Sequence, residues 1–233
     1  MTKAYEEVAA RLREEIQDHV LPTGSKLPNE VELAEQFGVS RATLREALRL
    51  LAAQSLIRTS KGAGGGSYVT MPSAEHLSES LRSGIGLLTA AEDVTLEELL
   101  EARELLEVPA AELAARRRAD AQVEQLRATI PRDPLRLGPE KQFVYNADFH
   151  TVVIEACGNV LLSIAAQPIF AVLQTHLARS RLGRPFHRSI NEHHREIADA
   201  IESGDARAAG ESMYEHLEFL RPYYERAWRN VRT

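Results

Sequence analysis

The stretch N-A-D-F-H, residues 146 to 150, puts an amide, a carboxylate and an imidazole within five positions of an otherwise apolar run. An imidazole can ligate a transition metal or move protons, and the two oxygen groups can coordinate a cation. On a helix, residues three or four apart share a face, so Phe143, Asn146, His150 and Val153 form one stripe. Asp148 lies two positions before His150, roughly 200° around the helix, and points elsewhere. The same spacing aligns Ile190, His194, Ile197 and Ile201 on a second helix, and Ala209, Met213, His216 and Leu220 on a third. A single histidine on an apolar face is ordinarily a hydrogen-bonded core residue. Three of them on three apolar stripes, with an amide oxygen one turn from His150, point to a metal site. Imidazole ligands suit zinc first, with nickel, iron, manganese or copper as alternatives, and open coordination positions can accept a small ligand. His176, His187 and His193 fall outside these stripes and are expected at the surface.

Two charge arguments refine this expectation. Asn146 offers a carbonyl oxygen but no negative charge, so neutral ligands would leave a cation uncompensated, and an anionic effector would supply the missing charge. Arg103 shares an inward stripe with Leu96, Leu99, Leu100 and Leu106, and a buried guanidinium needs a partner. That partner is either an internal carboxylate or the carboxylate of an effector, which a guanidinium fork grips well. Glu104 and Glu107 are expected to serve poorly because they are read as lying on other faces.

The elements that must position these groups are mostly helical. Val8, Leu12 and Ile16 repeat at helical spacing within residues 5 to 19, and L-P-T-G-S-K-L-P breaks the pattern. Two further helices follow, the first opened by Asn29 as N-cap and interrupted at Gly38, the second opened by Ser40 and running from Arg41 to about Ala53. L-I-R-T-S and S-Y-V-T then read as two short strands around the tip K-G-A-G-G-G. A hairpin after a helix-turn-helix is a wing. From Ser73 onward strand signals vanish, and amphipathic runs alternate with breaks at A-A-E-D-V-T, I-P-R-D-P-L-R-L-G-P, A-C-G-N, R-L-G-R-P-F and E-S-G-D, the pattern of an all-helical bundle. Pro109, inside one such run, predicts a kink or a helix start. The expected organisation is therefore a winged helix over residues 1 to 72, a linker at 71 to 75, and a helical unit over 73 to 233.

In V-S-R-A-T-L-R-E-A-L-R-L-L, Leu44, Ala47, Leu48 and Leu51 face inward, while Arg41, Thr43, Arg45 and Arg49 lie at the start or on the outer face. A recognition helix needs this division, because one face anchors it and the other reaches bases and phosphates. The net charge of -6 is unevenly spread: nine basic residues balance nine acidic ones up to Pro72, leaving nineteen against twenty-five beyond it. A local basic surface between Arg41 and Lys61 is thus compatible with an acidic chain.

The segments L-P-N-E-V-E-L-A-E-Q-F-G-V-S-R-A-T-L-R-E-A-L-R-L-L and L-I-R-T-S-K-G-A-G-G-G-S-Y-V resemble the winged helix of the GntR family of bacterial transcriptional regulators. That resemblance implies DNA contacts by Ser40, Arg41, Thr43 and Arg45, joined by Arg49 on the outer face, with Lys61 and Gly62 at the wing tip entering the minor groove. Val31 stands where many relatives carry arginine. Residues 99 to 117, 149 to 159, 194 to 209 and 213 to 217 resemble the FCD type of effector domain found in FadR-like members. In metal-containing FCD domains the ligands are an Asp-x-x-x-His pair and two later histidines, which fall here on Asn146, His150, His194 and His216, with asparagine in place of the aspartate.

The expected function is a ligand-responsive regulator that binds a palindromic operator as a homodimer and senses a small organic acid through a metal-containing pocket and Arg103. Two alternatives stand beside it: a metal-free regulator sensing an acyl thioester-like ligand, and a metalloenzyme in the helical unit. One cysteine, Cys157, allows no internal disulfide, the first residues lack the apolar core of a signal peptide, and no run approaches the roughly 18 apolar residues of a membrane helix. A cytoplasmic protein is expected.

Overall fold

The computed structural model describes residues 3 to 62, 65 to 178 and 182 to 231. The chain divides between Ser73 and Ala74 into two compact units, so Ala74 and Glu75, expected in a linker, already belong to a helix. In the first unit, helices α1 (Ala4–Gln17), α2 (Glu30–Phe37) and α3 (Arg41–Ala53) precede strands β1 (Ile57–Ser60) and β2 (Gly66–Val69). Asn29 caps α2 by accepting from the amides of Val31 and Glu32, while Glu32 reaches back to the Asn29 amide. Gly38 then ends α2 at φ 64°, a left-handed conformation that costs glycine nothing. Two residues later Ser40 caps α3 by accepting from the Thr43 amide at 3.1 Å. The two caps make the turn tight, and Leu33, Ala34, Leu44, Ala47 and Leu51 close over Val8, Leu12 and Ile16 of α1 in one core.

The hairpin pairs antiparallel, Ile57 opposite Val69 and Ser60 opposite Gly66. Its base is anchored by Ile57 and Val69 in the α1–α3 core, and β2 is tied further up by the Leu27 amide, which donates to the Ser67 carbonyl at 2.8 Å. Lys61 and Gly62 lie at the end of β1, with Gly62 at φ 113°, and the tip residues 63 and 64 fall outside the described residues.

Among the described residues the second unit is all-helical: α4 (Ala74–Ala90), α5 (Leu96–Arg117), α6 (Asp120–Ala128), a short 3-10 turn (Pro134–Arg136), α7 (Pro139–Ala156), α8 (Val160–Ala178), α9 (Arg184–Ser203) and α10 (Ala206–Val231). Pro109 does not start a helix; it lies within α5, as Pro168 lies within α8 and Pro222 within α10. The expected breaks separate α4 from α5 and α6 through α10 from one another, but a further one at Arg118 and Ala119 divides α5 from α6. The alanines 110, 111, 114 and 115 are fully buried, which lets α5 approach its neighbours closely. A side chain at Gly210 of α10 would meet Glu112 of α5 at 2.8 Å. No helix among the described residues is long and apolar enough to cross a membrane.

Replacing Asn29 by alanine removes the side-chain acceptor of the α2 cap while its backbone amide can still donate to Glu32, and should destabilise the winged helix by about 0.5–2 kcal/mol. Urea unfolding followed by circular dichroism checks this, and an unchanged midpoint would show that the cap is energetically idle.

Candidate metal centre and nucleic-acid interface

The three inward histidine stripes converge. His150 of α7, His194 of α9 and His216 of α10 are buried, and one donor atom from each lies within 4.8 Å of the others. The Nε2 atoms of His150 and His216 are 3.2 Å apart. That matches the edge of a tetrahedron with metal–nitrogen bonds of about 2.0–2.1 Å, which is roughly 3.3 Å. His194 is held by its ring, stacked on Phe149 at 3.7 Å with 7° between planes.

Asn146, also buried, sits one turn before His150. Gln174 of α8 donates to the Phe143 carbonyl and so must present its own oxygen to Asn146 Nδ2, 3.1 Å away. This fixes the Asn146 amide orientation. Its Oδ1 is left buried with no hydrogen-bond partner, as are His194 Nε2 and His216 Nδ1. Buried polar atoms are normally satisfied, so unpaired ones on Asn146 and on two of the three clustered histidines suit an absent cation or ligand. Asp148 is exposed, as its helical angle requires.

One partner overturns the sequence reading. Arg103 is paired with Glu107, whose Oε1 accepts from Nε at 2.6 Å, and the two side chains are 2% and 1% exposed. Four residues advance a helix by about 400°, only some 40° off the starting face, so Glu107 shares the inward stripe that it was expected to miss. Its other oxygen lies 2.6 Å from His150 Nδ1. A carboxylate there holds the proton on Nδ1 and leaves the Nε2 lone pair for a ligand, the arrangement that orients metal-binding histidines. Arg103 continues the chain, donating through Nη1 to Tyr224 Oη at 2.9 Å and lying 3.2 Å from His150 Nε2 through Nη2. The guanidinium thus stands where a ligand of that nitrogen would compete with it.

The protonation states follow from burial and neighbours. Burial would raise the Glu107 pKa, but Arg103 and then His150 outweigh it and hold the carboxyl at about 2. Desolvation pushes His194 and His216 well below 6.5, helped by His150 and, more weakly, by Arg103. His150 is lowered as well, by burial first, against the pull of Glu107. All three imidazoles are therefore neutral near pH 7, the state a metal ligand requires.

Two histidines expected at the surface are only partly exposed. His193 is half-buried, its ring edge-on to His216 and to Phe219. His187, also half-buried, is edge-on to Phe143 and Phe186. It lines a narrow cleft that Asn146 and His194 also line. The side chain of His176 lies outside the described residues.

In the winged helix, Arg41, Arg45 and Arg49 project from α3 with side chains 60%, 53% and 75% exposed, so all three can reach a partner. They are not idle in the free chain. Glu30 accepts from Arg45 Nε at 2.8 Å and lies 3.9 Å from Arg41, while Arg49 pairs with Glu46 at 2.6 Å. Ser40 and Thr43 are bonded to each other at 2.8 Å, exposed at the helix start. Val31 is 46% exposed.

A winged helix joined to a helical unit with a buried histidine cluster has the layout of a one-component transcription regulator. Comparison with known proteins narrows this. Residues 4–66 match the bacterial regulatory proteins of the gntR family, and residues 98–219 match the FCD domain. The chain is 32% identical over 225 residues to the putative L-lactate dehydrogenase operon regulatory protein of Escherichia coli K12, covering 92% of this chain and 84% of that one. It is 30% identical to the HTH-type transcriptional regulator LutR of Bacillus subtilis 168, covering 90% and 98%. A solved GntR structure from Streptococcus agalactiae superposes with a TM-score of 0.60 at 29% identity, over 94% of this chain and 99% of that one. The chain belongs to the GntR family of bacterial transcription regulators and carries an FCD domain in its helical unit. The relatives are regulators, so the metalloenzyme alternative is set aside.

Because His194 and His216 titrate below 6.5 when folded, the unfolded chain takes up protons first as pH falls. The stability they contribute is present above 6.5 and is lost as pH drops below that value toward their folded pKa. Glu107, at about 2, stays charged throughout and adds nothing to this slope. Chelator-treated protein should therefore hold its melting temperature down to about pH 7 and melt at progressively lower temperature from there to about pH 5. A flat profile would mean that the buried imidazoles are already protonated.

Proposed function

We propose that this regulator binds an approximately palindromic operator as a homodimer through α3 and the wing, and that its helical unit senses a small organic anion at a metal-containing pocket. The observation that carries the effector half is the convergence of three buried, neutral imidazoles from three helices, with Asn146 Oδ1 and His194 Nε2 stranded beside them. His150, His194 and His216 would hold a divalent ion, zinc first by ligand type, with Asn146 Oδ1 as a fourth, neutral donor. The ion would supply a Lewis-acidic anchor for an anion. Arg103 supplies the second anchor: its Nη2 hydrogens can leave His150 for an effector carboxylate while Nε stays on Glu107. The cleft lined by Asn146, His187 and His194 gives the route of entry. An E. coli relative is named for an L-lactate dehydrogenase operon, which favours a small hydroxy acid as the first compound to try. An acyl thioester in place of the ion would leave the stranded acceptors unpaired, so the metal-free alternative is the weaker reading.

The DNA half rests on three exposed arginines of one helix face in a family of DNA-binding regulators. Ser40 and Thr43, at the exposed start of α3, would meet phosphates or a thymine methyl, and Lys61 and Gly62 would follow the minor groove. One winged helix offers little contact area, so paired copies on a two-fold site are expected.

Arg41→Ala and Arg45→Ala should each weaken specific binding by about 1–3 kcal/mol in a footprinting titration, whereas Lys61→Ala should weaken all sequences alike and lower the salt slope by about one. Identical footprints for both arginine variants would remove α3 from the interface.

Elemental analysis of freshly purified protein tests the metal directly. His194→Ala is the cleaner ligand variant, because His150→Ala would also strand Glu107. It should lose the metal and the effector response but retain operator binding. Asp148→Ala should do neither, and metal loss in that variant alone would mean that the wrong face of α7 was chosen.

A further inference from the structure

We propose that the ion and the anion bind this pocket cooperatively, each weakly without the other; this rests on the metal and anion reading above. The fixed charges in the pocket are already balanced: Arg103 and Glu107 form an ion pair, Asn146 carries no charge, and an imidazole ligates a metal only in its neutral form. Glu107 is a poor source of compensation for a cation, since its charge is paired with Arg103 and each of its oxygens is already engaged, one by Arg103 and the other by His150. An ion arriving alone would bring two uncompensated positive charges beside a guanidinium that already lies 3.2 Å from His150 Nε2. A carboxylate at position 146 would offset half of that charge; the amide of Asn146 offsets none.

An anion arriving alone fares no better. It finds the Arg103 Nη groups engaged by Tyr224 and His150, with the Glu107 charge on the far side of the same guanidinium. Together the two ligands relieve each other. One carboxylate can accept from Arg103 Nη2, drawing it off His150 Nε2, and fill the open coordination position, so that each ligand supplies the charge the other lacks. The approach is suited to an anion as well, since no acidic side chain among the described residues lines the cleft at Asn146 and His194. Asn146 is thus the residue that makes the pocket respond to the pair, where an aspartate would favour the ion by itself.

The test uses the full-length protein and needs no knowledge of the natural effector. Cobalt(II) is titrated into chelator-treated protein, followed by its visible absorption and by calorimetry, in chloride and then with added acetate or L-lactate. Either carboxylate should tighten cobalt binding at least about fivefold, and cobalt should tighten L-lactate by the same factor, because such coupling is reciprocal. Asn146→Asp should bind cobalt more tightly than the wild type in chloride and show a smaller carboxylate effect. Equal cobalt affinity with and without carboxylate in the wild type would overturn the coupling, whatever the variant does. Cobalt bound by neither wild type nor Asn146→Asp, with carboxylate or without, would overturn the metal reading beneath it.

Discussion

Glu107 touches a guanidinium with one oxygen and an imidazole with the other, and the helical unit is organised around that carboxylate. Removing an ion pair from water costs several kcal/mol per charge, and attraction alone does not reliably restore it. Arg103 and Glu107 are nearly inaccessible, so the remaining hydrogen bonds matter: Tyr224 and His150 take up the free donors and acceptor. The chain ties α5 to α7 and α10, and through the facing Nε2 atoms of His150 and His216 it reaches α10 a second time. Deleting Arg103 outright would strand a charge, at about 3–5 kcal/mol, and so would confuse loss of an effector contact with loss of the fold. Lysine or glutamine there keeps a donor on Glu107.

The same carboxylate decides the chemistry of the site. By holding the proton of His150 on Nδ1 it selects the tautomer, and the tautomer selects which nitrogen is free. Gln174 does the equivalent for Asn146, whose oxygen is left unpaired only because the Phe143 carbonyl claims the Gln174 amide hydrogens. Neither Glu107 nor Gln174 touches the point where the histidine donors meet, yet both determine what is presented there.

Much of this was legible in the residues. The winged helix follows from two caps, Asn29 and Ser40, a left-handed glycine and a glycine-rich tip, each a local signal acting on its own neighbours. The inward histidines and Arg103 follow from helical spacing, as does the outward turn of Asp148. Other features were legible only in part or not at all. Glu107 was within reach, since four residues return a helix to nearly the same face, and the misplacement was one of angle. The division of α5 from α6 falls at Arg118 and Ala119, where neither glycine nor proline announces a stop. Pro109 stays inside α5 because tertiary packing of the alanines around it outweighs a missing amide. The burial of His187 and His193 depends on which helices they meet, and the cleft exists only once α7 and α9 are set side by side; spacing along one helix holds no record of either.

Glu30 carries a consequence for how the winged helix searches DNA. Its carboxylate occupies Arg45 and lies near Arg41, as a phosphate would. If α3 meets DNA as proposed above, a guanidinium so held would meet a backbone phosphate by exchange, giving up one anion for another. The gain at an arbitrary stretch of duplex is then smaller than two free arginines would give, and the exchange is worthwhile chiefly where base edges add a bidentate contact. An internal acid of this kind lowers adhesion to the bulk of the genome more than it lowers affinity for the proper site. On that reading it would shorten the time spent on wrong sequences at little expense to the right one.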